Sequence, residues 1–136
     1  MQMAEGLDTG DMLLTYETKV GEKETAGELF DRLAQSGAEL LTQTLVKLDE
    51  IEPRPQDDAQ SCYAHMLDKQ MAVIDWSKSA HEIDCLIRGL NPWPIALTTL
   101  PAKTEVFAAE KQPAMARAGT VLEPTRKGLT VACGEG

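Results

Sequence analysis

The sequence is poor in aromatic residues and contains no long apolar run or familiar catalytic signature. Phe, Trp and Tyr make up 4% of its 136 residues. No apolar stretch reaches the about 18 residues that a transmembrane helix needs, which excludes a membrane span. The first residues have neither a basic nor a long apolar segment, so we predict no secretory signal. The motifs G-x-G-x-x-G, H-E-x-x-H, G-x-S-x-G and the Walker loop are missing. Motif patterns alone therefore name no function.

Cysteine is also scarce and irregularly spaced. The three cysteines lie far apart without a C-x-x-C pair: Cys62, Cys85 and Cys133. This spacing argues against a disulfide framework or a zinc site. It favours reduced cytoplasmic thiols that pack as small hydrophobic side chains. The pattern Asp8-x-Gly10-Asp11 matches only part of a calcium loop, so we predict no bound metal.

Basic residues are few, and their distribution is uneven. The formal net charge is −9, from 13 Lys and Arg against 22 Asp and Glu. Residues 1–100 hold 8 basic and 18 acidic side chains, whereas residues 101–136 hold 5 and 4. A polyanionic partner would therefore have to meet the last part of the chain or a local basic face.

The first half of the chain reads as a strand, a helix and a linker. Met12–Val20 is rich in β-forming residues and follows a turn-prone segment, which predicts a strand. Thr25 and Glu28 are spaced as a capping box, and helical apolar periodicity continues to about Glu50, with a possible break at Ser36-Gly37. Residues 53–60 are rich in proline and polar residues and predict an exposed linker.

The second half predicts one helix followed by short strands. Ser79 and Glu82 form a second capping box, and Asn91-Pro92-Trp93-Pro94 ends the helix that they begin. We interpret Trp76 and Trp93 as packing anchors, and His65 and His81 as surface or internally satisfied side chains. The predicted strands are Ile95–Leu100, Glu105–Ala109, Gly119–Leu122 and Leu129–Ala132, with the turn of the last hairpin at Arg126-Lys127-Gly128.

The loop Leu7-Asp8-Thr9-Gly10-Asp11 carries the most chemistry. A carboxylate on a tight loop before a strand can face a cleft, and a neighbouring glycine allows backbone to approach a ligand closely. The alternative is an Asx-turn, in which Asp8 bonds only to local backbone.

Five segments, taken together and in order, resemble the methionyl-tRNA formyltransferase family: Met1-Gln2-Met3, Gly6 to Met12, Ile74-Asp75-Trp76-Ser77, Ile87-Arg88 and Asn91-Pro92-Trp93-Pro94. The resemblance implies an α/β fragment cut from a longer enzyme. Residues 1–52 would be the end of a doubly wound catalytic domain, 53–70 a linker, and 71–136 the entry helix and first strands of a C-terminal open β-barrel that holds tRNA.

The resemblance also implies the chemistry. The family transfers a formyl group from 10-formyltetrahydrofolate to initiator methionyl-tRNA in the cytoplasm, without DNA, membrane or metal, as a monomer when full length. Asp8 matches its catalytic aspartate, and Ala4, Glu5, Gly6, Leu7 and Asp8 match its folate loop. The candidate tRNA contacts are Arg88, Arg126 and Lys127.

This chain departs from the family by lacking the catalytic Asn, the catalytic His and the S-L-L-P region that precede Asp8. We therefore expect it to be inactive alone. Two alternatives stay open. One is a folate-dependent sugar-nucleotide formyltransferase, because the Leu-Asp-x-Gly element is shared with such enzymes. The other is a non-catalytic tRNA-binding module.

Overall fold

The computed structural model of the chain describes residues 1–99, 103–112, 115–126 and 128–135. Within these ranges the regular structure consists of two α-helices, two short 3-10 helices and a two-stranded sheet, a small α/β arrangement. The chain divides into two compact units. Unit 1 is Met1–Glu22 with Glu28–Met66, and unit 2 is Lys23–Gly27 with Leu67–Gly136. None of the helices in the described part of the chain is long and apolar enough to cross a bilayer.

In unit 1, the prediction of a strand at Met12–Val20 is wrong. Among the residues that the structure describes, the only bridge of this segment joins Met12 to Arg54, whose backbone groups exchange hydrogen bonds of 2.8 and 2.9 Å. β-propensity measures how well side chains suit a paired, half-buried surface. Within the described ranges no neighbouring strand runs beside residues 13–20. The segment therefore does not form a strand, although its residues favour one.

The long helix of unit 1, α1 (Ala26–Val46), begins directly after Thr25, as predicted. It runs without a break through Ser36-Gly37, spans about 31 Å, and ends before Glu50 because Leu48–Glu50 form a 3-10 helix. None of its residues is buried, and Phe30 is 72% exposed. Its apolar stripe borders a shallow groove of about 320 Å³, lined by residues including Leu14, Tyr16, Leu33 and Leu40.

Unit 2 contains the hydrophobic core. The helix α2 (Ala80–Gly89) begins with the predicted capping box: the Glu82 N–H donates to Ser79 Oγ at 3.2 Å, and the Ser79 N–H donates to Glu82 Oε2 at 3.0 Å. This cap fixes where the helix starts. Its inward face then places Ile83 and Ile87 against Ile74 and Ala96.

The sheet of unit 2 pairs β1 (Ala96–Thr99) with β2 (Lys103–Val106) in antiparallel register, so that Ala96 opposes Val106. β1 lies within the predicted strand, whose Leu100 falls outside the described residues. β2 begins two residues before the predicted Glu105 and ends at Val106. Val73 bridges Leu97 in parallel, so a short segment before α2 extends this sheet on its other edge.

The predicted hairpin near the C-terminus is present as a pairing rather than as two continuous strands. Val121 bridges Val131, and three backbone hydrogen bonds of 2.8 to 2.9 Å connect Gly119, Thr120 and Leu122 with residues 130 and 132. Thr125 and Gly128 bond to each other across the turn at 3.0 and 3.2 Å. Lys127, in that turn, lies outside the described residues.

Two expectations about packing are half correct. Trp76 packs against the core and its indole N–H donates to buried Thr98 at 3.0 Å, whereas Trp93 is 55% exposed. Cys133 also packs against the core, but Cys62 and Cys85 are free and exposed. Tryptophan and cysteine are both residue types that favour burial. Whether each side chain is in fact buried depends on its position in the folded chain.

Candidate functional site

The candidate site is the loop from Ala4 to Asp11, and its backbone conformation is demanding. Asp8 has a φ of +55°, in the left-handed region that Asp tolerates better than most residues. Gly10 is buried, and a Cβ atom there would lie 1.9 Å from the carbonyl oxygen of Gln2. The glycine is therefore required by a close approach of two backbone segments.

A side chain distant in sequence fixes this loop. Gln56 Nε2 donates to the carbonyl oxygens of Asp8 at 2.7 Å and Gly10 at 2.8 Å. The neighbouring Arg54 makes the backbone bridge to Met12. Both residues belong to the segment interpreted as a linker, so sequence reasoning missed their role. A glutamine 46 to 48 positions from its partners leaves no local signal in the sequence.

The predicted site residues Ala4, Glu5, Gly6, Leu7 and Asp8 are brought together on this loop, and all are exposed. Leu7 is 94% exposed. No hydrogen bond within the described ranges reaches the Asp8 carboxylate, so an Asx-turn closed by it is not observed. The loop thus presents a carboxylate beside an uncovered apolar side chain. Such a surface can bind a ligand that combines an apolar face with hydrogen-bond donors.

Of the predicted tRNA contacts, Arg88 and Arg126 belong to the described residues, whereas Lys127 lies outside them. The Arg88 guanidinium donates to Asp84 Oδ2 at 3.3 Å through Nε, to the Glu24 carbonyl at 3.0 Å through Nη1 and to Cys85 Sγ at 3.4 Å through Nη2. Arg126 is exposed at the hairpin turn. Because each guanidinium nitrogen of Arg88 already has a protein acceptor, its geometry favours a structural tie over a phosphate contact.

Two carboxylates whose pKa values are perturbed, Asp75 and Glu82, belong to local motifs of unit 2. The pKa of Asp75 is lowered, mainly because Ser77 Oγ donates to it at 2.6 Å. The pKa of Glu82 is lowered, mainly by the backbone N–H of Ser79 in the capping box. No three His, Cys, Asp or Glu side chains gather into a metal-binding group in the described ranges. Turn and cap chemistry explains these shifts without a catalytic role.

Comparison with known proteins gives a consistent result. Residues 66–136 match the family model described as formyl transferase, C-terminal domain. The chain is 50% identical over 141 residues to a methionyl-tRNA formyltransferase of Clostridium novyi (strain NT), covering 100% of this chain and 46% of that relative. It is 44% identical over 140 residues to one from Clostridium perfringens (strain 13 / Type A), covering 99% and 45%.

A third relative gives the same result. The methionyl-tRNA formyltransferase of Stutzerimonas stutzeri (strain A1501) is 43% identical over 139 residues, covering 100% of this chain and 44% of that relative. The chain therefore spans somewhat less than half the length of the curated relatives that it matches.

Proposed function

This chain belongs to the formyl transferase family through its C-terminal domain, and we propose that it acts in the transfer of a formyl group to initiator methionyl-tRNA. The observation that carries the proposal is the identity of 43 to 50% across the whole chain with relatives named methionyl-tRNA formyltransferase. Because the chain spans under half of those relatives, the proposal includes a requirement for the remaining part of the enzyme.

We further propose that residues 1–52 are the end of a doubly wound catalytic domain. Two properties of unit 1 support this assignment. The β-forming segment at Met12–Val20 is not paired along its length in the described chain, and the apolar stripe of α1 has no buried residue. Both surfaces would be satisfied by a sheet that continues beside residues 13–20 and packs under α1.

We propose that residues 71–136 form the entry helix and first strands of an open β-barrel. Residues 53–70 would connect this barrel to the catalytic domain. The β1–β2 pair, the parallel bridge at Val73 and the pairing of residues 119–122 with 129–132 support this reading. The sheet of a barrel has no free edge when it closes, and short strands of this kind are its units.

In the proposed reaction the methionyl amino group attacks the formyl carbon of 10-formyltetrahydrofolate, and tetrahydrofolate leaves once the tetrahedral intermediate collapses. The loop Ala4 to Asp8 would lie against the pterin ring, where exposed Leu7 supplies an apolar surface. Asp8 would orient and charge a histidine from the remaining part of the enzyme, which with an asparagine stabilises the oxyanion. Gln56 would hold Asp8 in register by fixing its backbone.

A chimera tests this proposal. The portion of the Clostridium novyi relative that this chain does not match would be fused to residue 1, and formylation of initiator methionyl-tRNA would be measured with 10-formyltetrahydrofolate. We expect activity from the chimera, none from the 136-residue chain alone, and about a 100-fold or greater loss on Asp8→Asn.

Asp11→Asn is the matched control, since it removes an acidic side chain of the same loop that the proposal does not use. Formylation by the chain alone, or full activity of the Asp8→Asn chimera, would contradict the proposal. Formylation of an amino-sugar nucleotide in place of the tRNA would favour the alternative enzyme class, which none of the three relatives described above supports by name.

A further inference from the structure

Residues 23–27, which we call the strap, belong to unit 2 although their neighbours on both sides belong to unit 1. Hydrogen bonds to its backbone help attach the strap, and two of them come from named residues of unit 2. Arg88 Nη1 donates to the Glu24 carbonyl at 3.0 Å, and the Gly27 N–H donates to the Asn91 carbonyl at 3.0 Å. The contacts come from α2 and from the turn that follows it.

The Arg88 contact is pre-organised by a buried carboxylate. The Asp84 side chain is 5% exposed and lies 3.3 Å from Arg88 Nε and 3.8 Å from Lys111 Nζ. The Arg88 side chain itself is 17% exposed. A rigid guanidinium held at one edge by an ion pair presents its other edge to a carbonyl in a fixed direction.

The Gly27 contact is specific in two ways. The first N–H groups of a helix have no partner within the helix, so the Asn91 carbonyl supplies an acceptor that α1 cannot. A Cβ atom at Gly27 would lie 2.8 Å from Pro92 Cδ, in a ring that cannot move aside. Glycine disfavours helices, so its presence at the start of α1 is accounted for by this close approach.

We propose that unit 2 uses Arg88, Asn91 and Pro92 as a clamp on the strap, so that the chain is held to unit 2 at a second place besides the connection at residues 66–67. The clamp binds the backbone of the strap at Glu24 and Gly27, and Pro92 lies too close to Gly27 for a side chain to fit there. A break in the connection between the units would therefore leave them attached. This role is independent of formyl transfer.

The test uses the full chain, cut after folding. A protease recognition sequence is inserted between Ser61 and Cys62, where the residues are exposed and without regular structure. After cleavage, we expect the two pieces to elute together in size-exclusion chromatography. Gly27→Ala and Arg88→Ala should each raise the dissociation constant of the cut pieces by about tenfold or more.

Matched controls separate the clamp from general stability. Gly37→Ala lies in the same helix, and nothing is found within 4 Å of its added Cβ, so its pieces should stay together. Arg126→Ala removes an exposed cation from unit 2 and should also leave association unchanged. In the uncut chain, hydrogen exchange of the Gly27 amide should accelerate in Arg88→Ala.

Two results would overturn the proposal. One is separation of the unmutated pieces after cleavage. The other is a dissociation constant of the Gly27→Ala pieces that is as low as that of the Gly37→Ala pieces. If Arg88→Ala loses helical circular dichroism, the decision rests on Gly27→Ala, which leaves the core of unit 2 untouched and favours helix by sequence.

Discussion

The two units of this chain differ in charge and in burial, although they contain similar numbers of residues. Unit 1 holds 13 acidic and 4 basic side chains, whereas unit 2 holds 9 of each. Every buried apolar side chain of the described residues belongs to unit 2, while Gly10 is the one buried residue of unit 1. The comparison teaches that a long, well-formed helix does not make a unit with its own core.

The largest expected effect contrasts a core side chain with an exposed one. Ile87 is 1% exposed, so Ile87→Ala should lower the free energy of unfolding by about 2 to 5 kcal/mol. Phe30, 72% exposed in α1, should change it by less than about 0.5 kcal/mol when replaced by Ala. Urea unfolding followed by tryptophan fluorescence measures this, since both tryptophans lie in unit 2. Equal losses of unfolding free energy in Ile87→Ala and Phe30→Ala would contradict the difference in burial between the two units.

A second test replaces a tightly packed glycine by alanine in each unit, which creates the same steric clash in both. A Cβ at Gly134 would lie 1.9 Å from the Ser77 carbonyl, and one at Gly10 would lie 1.9 Å from the Gln2 carbonyl. We expect Gly134→Ala to destabilise unit 2 by about 2 kcal/mol. Gly10→Ala should leave that transition unchanged and increase hydrogen exchange of the Gln2 amide, which bonds to the Asp11 carbonyl. A shifted fluorescence transition in Gly10→Ala would argue against two separate units.

A third test concerns the loop that unit 1 does organise. Gln56→Ala removes both hydrogen bonds to the loop and should cost about 1 to 3 kcal/mol of local stability. The measurement is hydrogen exchange across residues 2–12, with Gln35→Ala on exposed α1 surface as the control. Unchanged exchange in Gln56→Ala would show that the loop holds its conformation by itself.

The smallest effect is a pH dependence confined to unit 2. The lowered pKa of Glu82 in the capping box means that this group stabilises the fold above its ordinary carboxyl pKa. The contribution is lost as pH falls through the lowered value. Glu82→Gln should therefore flatten the acid side of the stability curve slightly, as measured by urea midpoints across the acid range. An unchanged curve would assign the acid sensitivity to Asp75 or other carboxylates.

Local patterns predicted the helices well because their signals are local. The Ser79–Glu82 box begins α2 where expected, since the reciprocal bonds join residues three apart. The Met12–Val20 prediction failed because a strand also needs a partner, which its own composition cannot supply. The candidate loop was found as a segment, but Gln56 was not, because its contacts cross 46 to 48 positions.

The sequence by itself determined the family, the capped start of α2, the long apolar-striped α1 and the loop that displays Asp8. Tertiary structure decided which apolar residues form the core. It also decided that Gln56 hydrogen-bonds to the loop and that Arg88 hydrogen-bonds to the backbone of the strap. The physical reason is the range of the interactions: caps and helical periodicity act over three or four residues, whereas burial, strand pairing and backbone clamping depend on residues that only folding brings together.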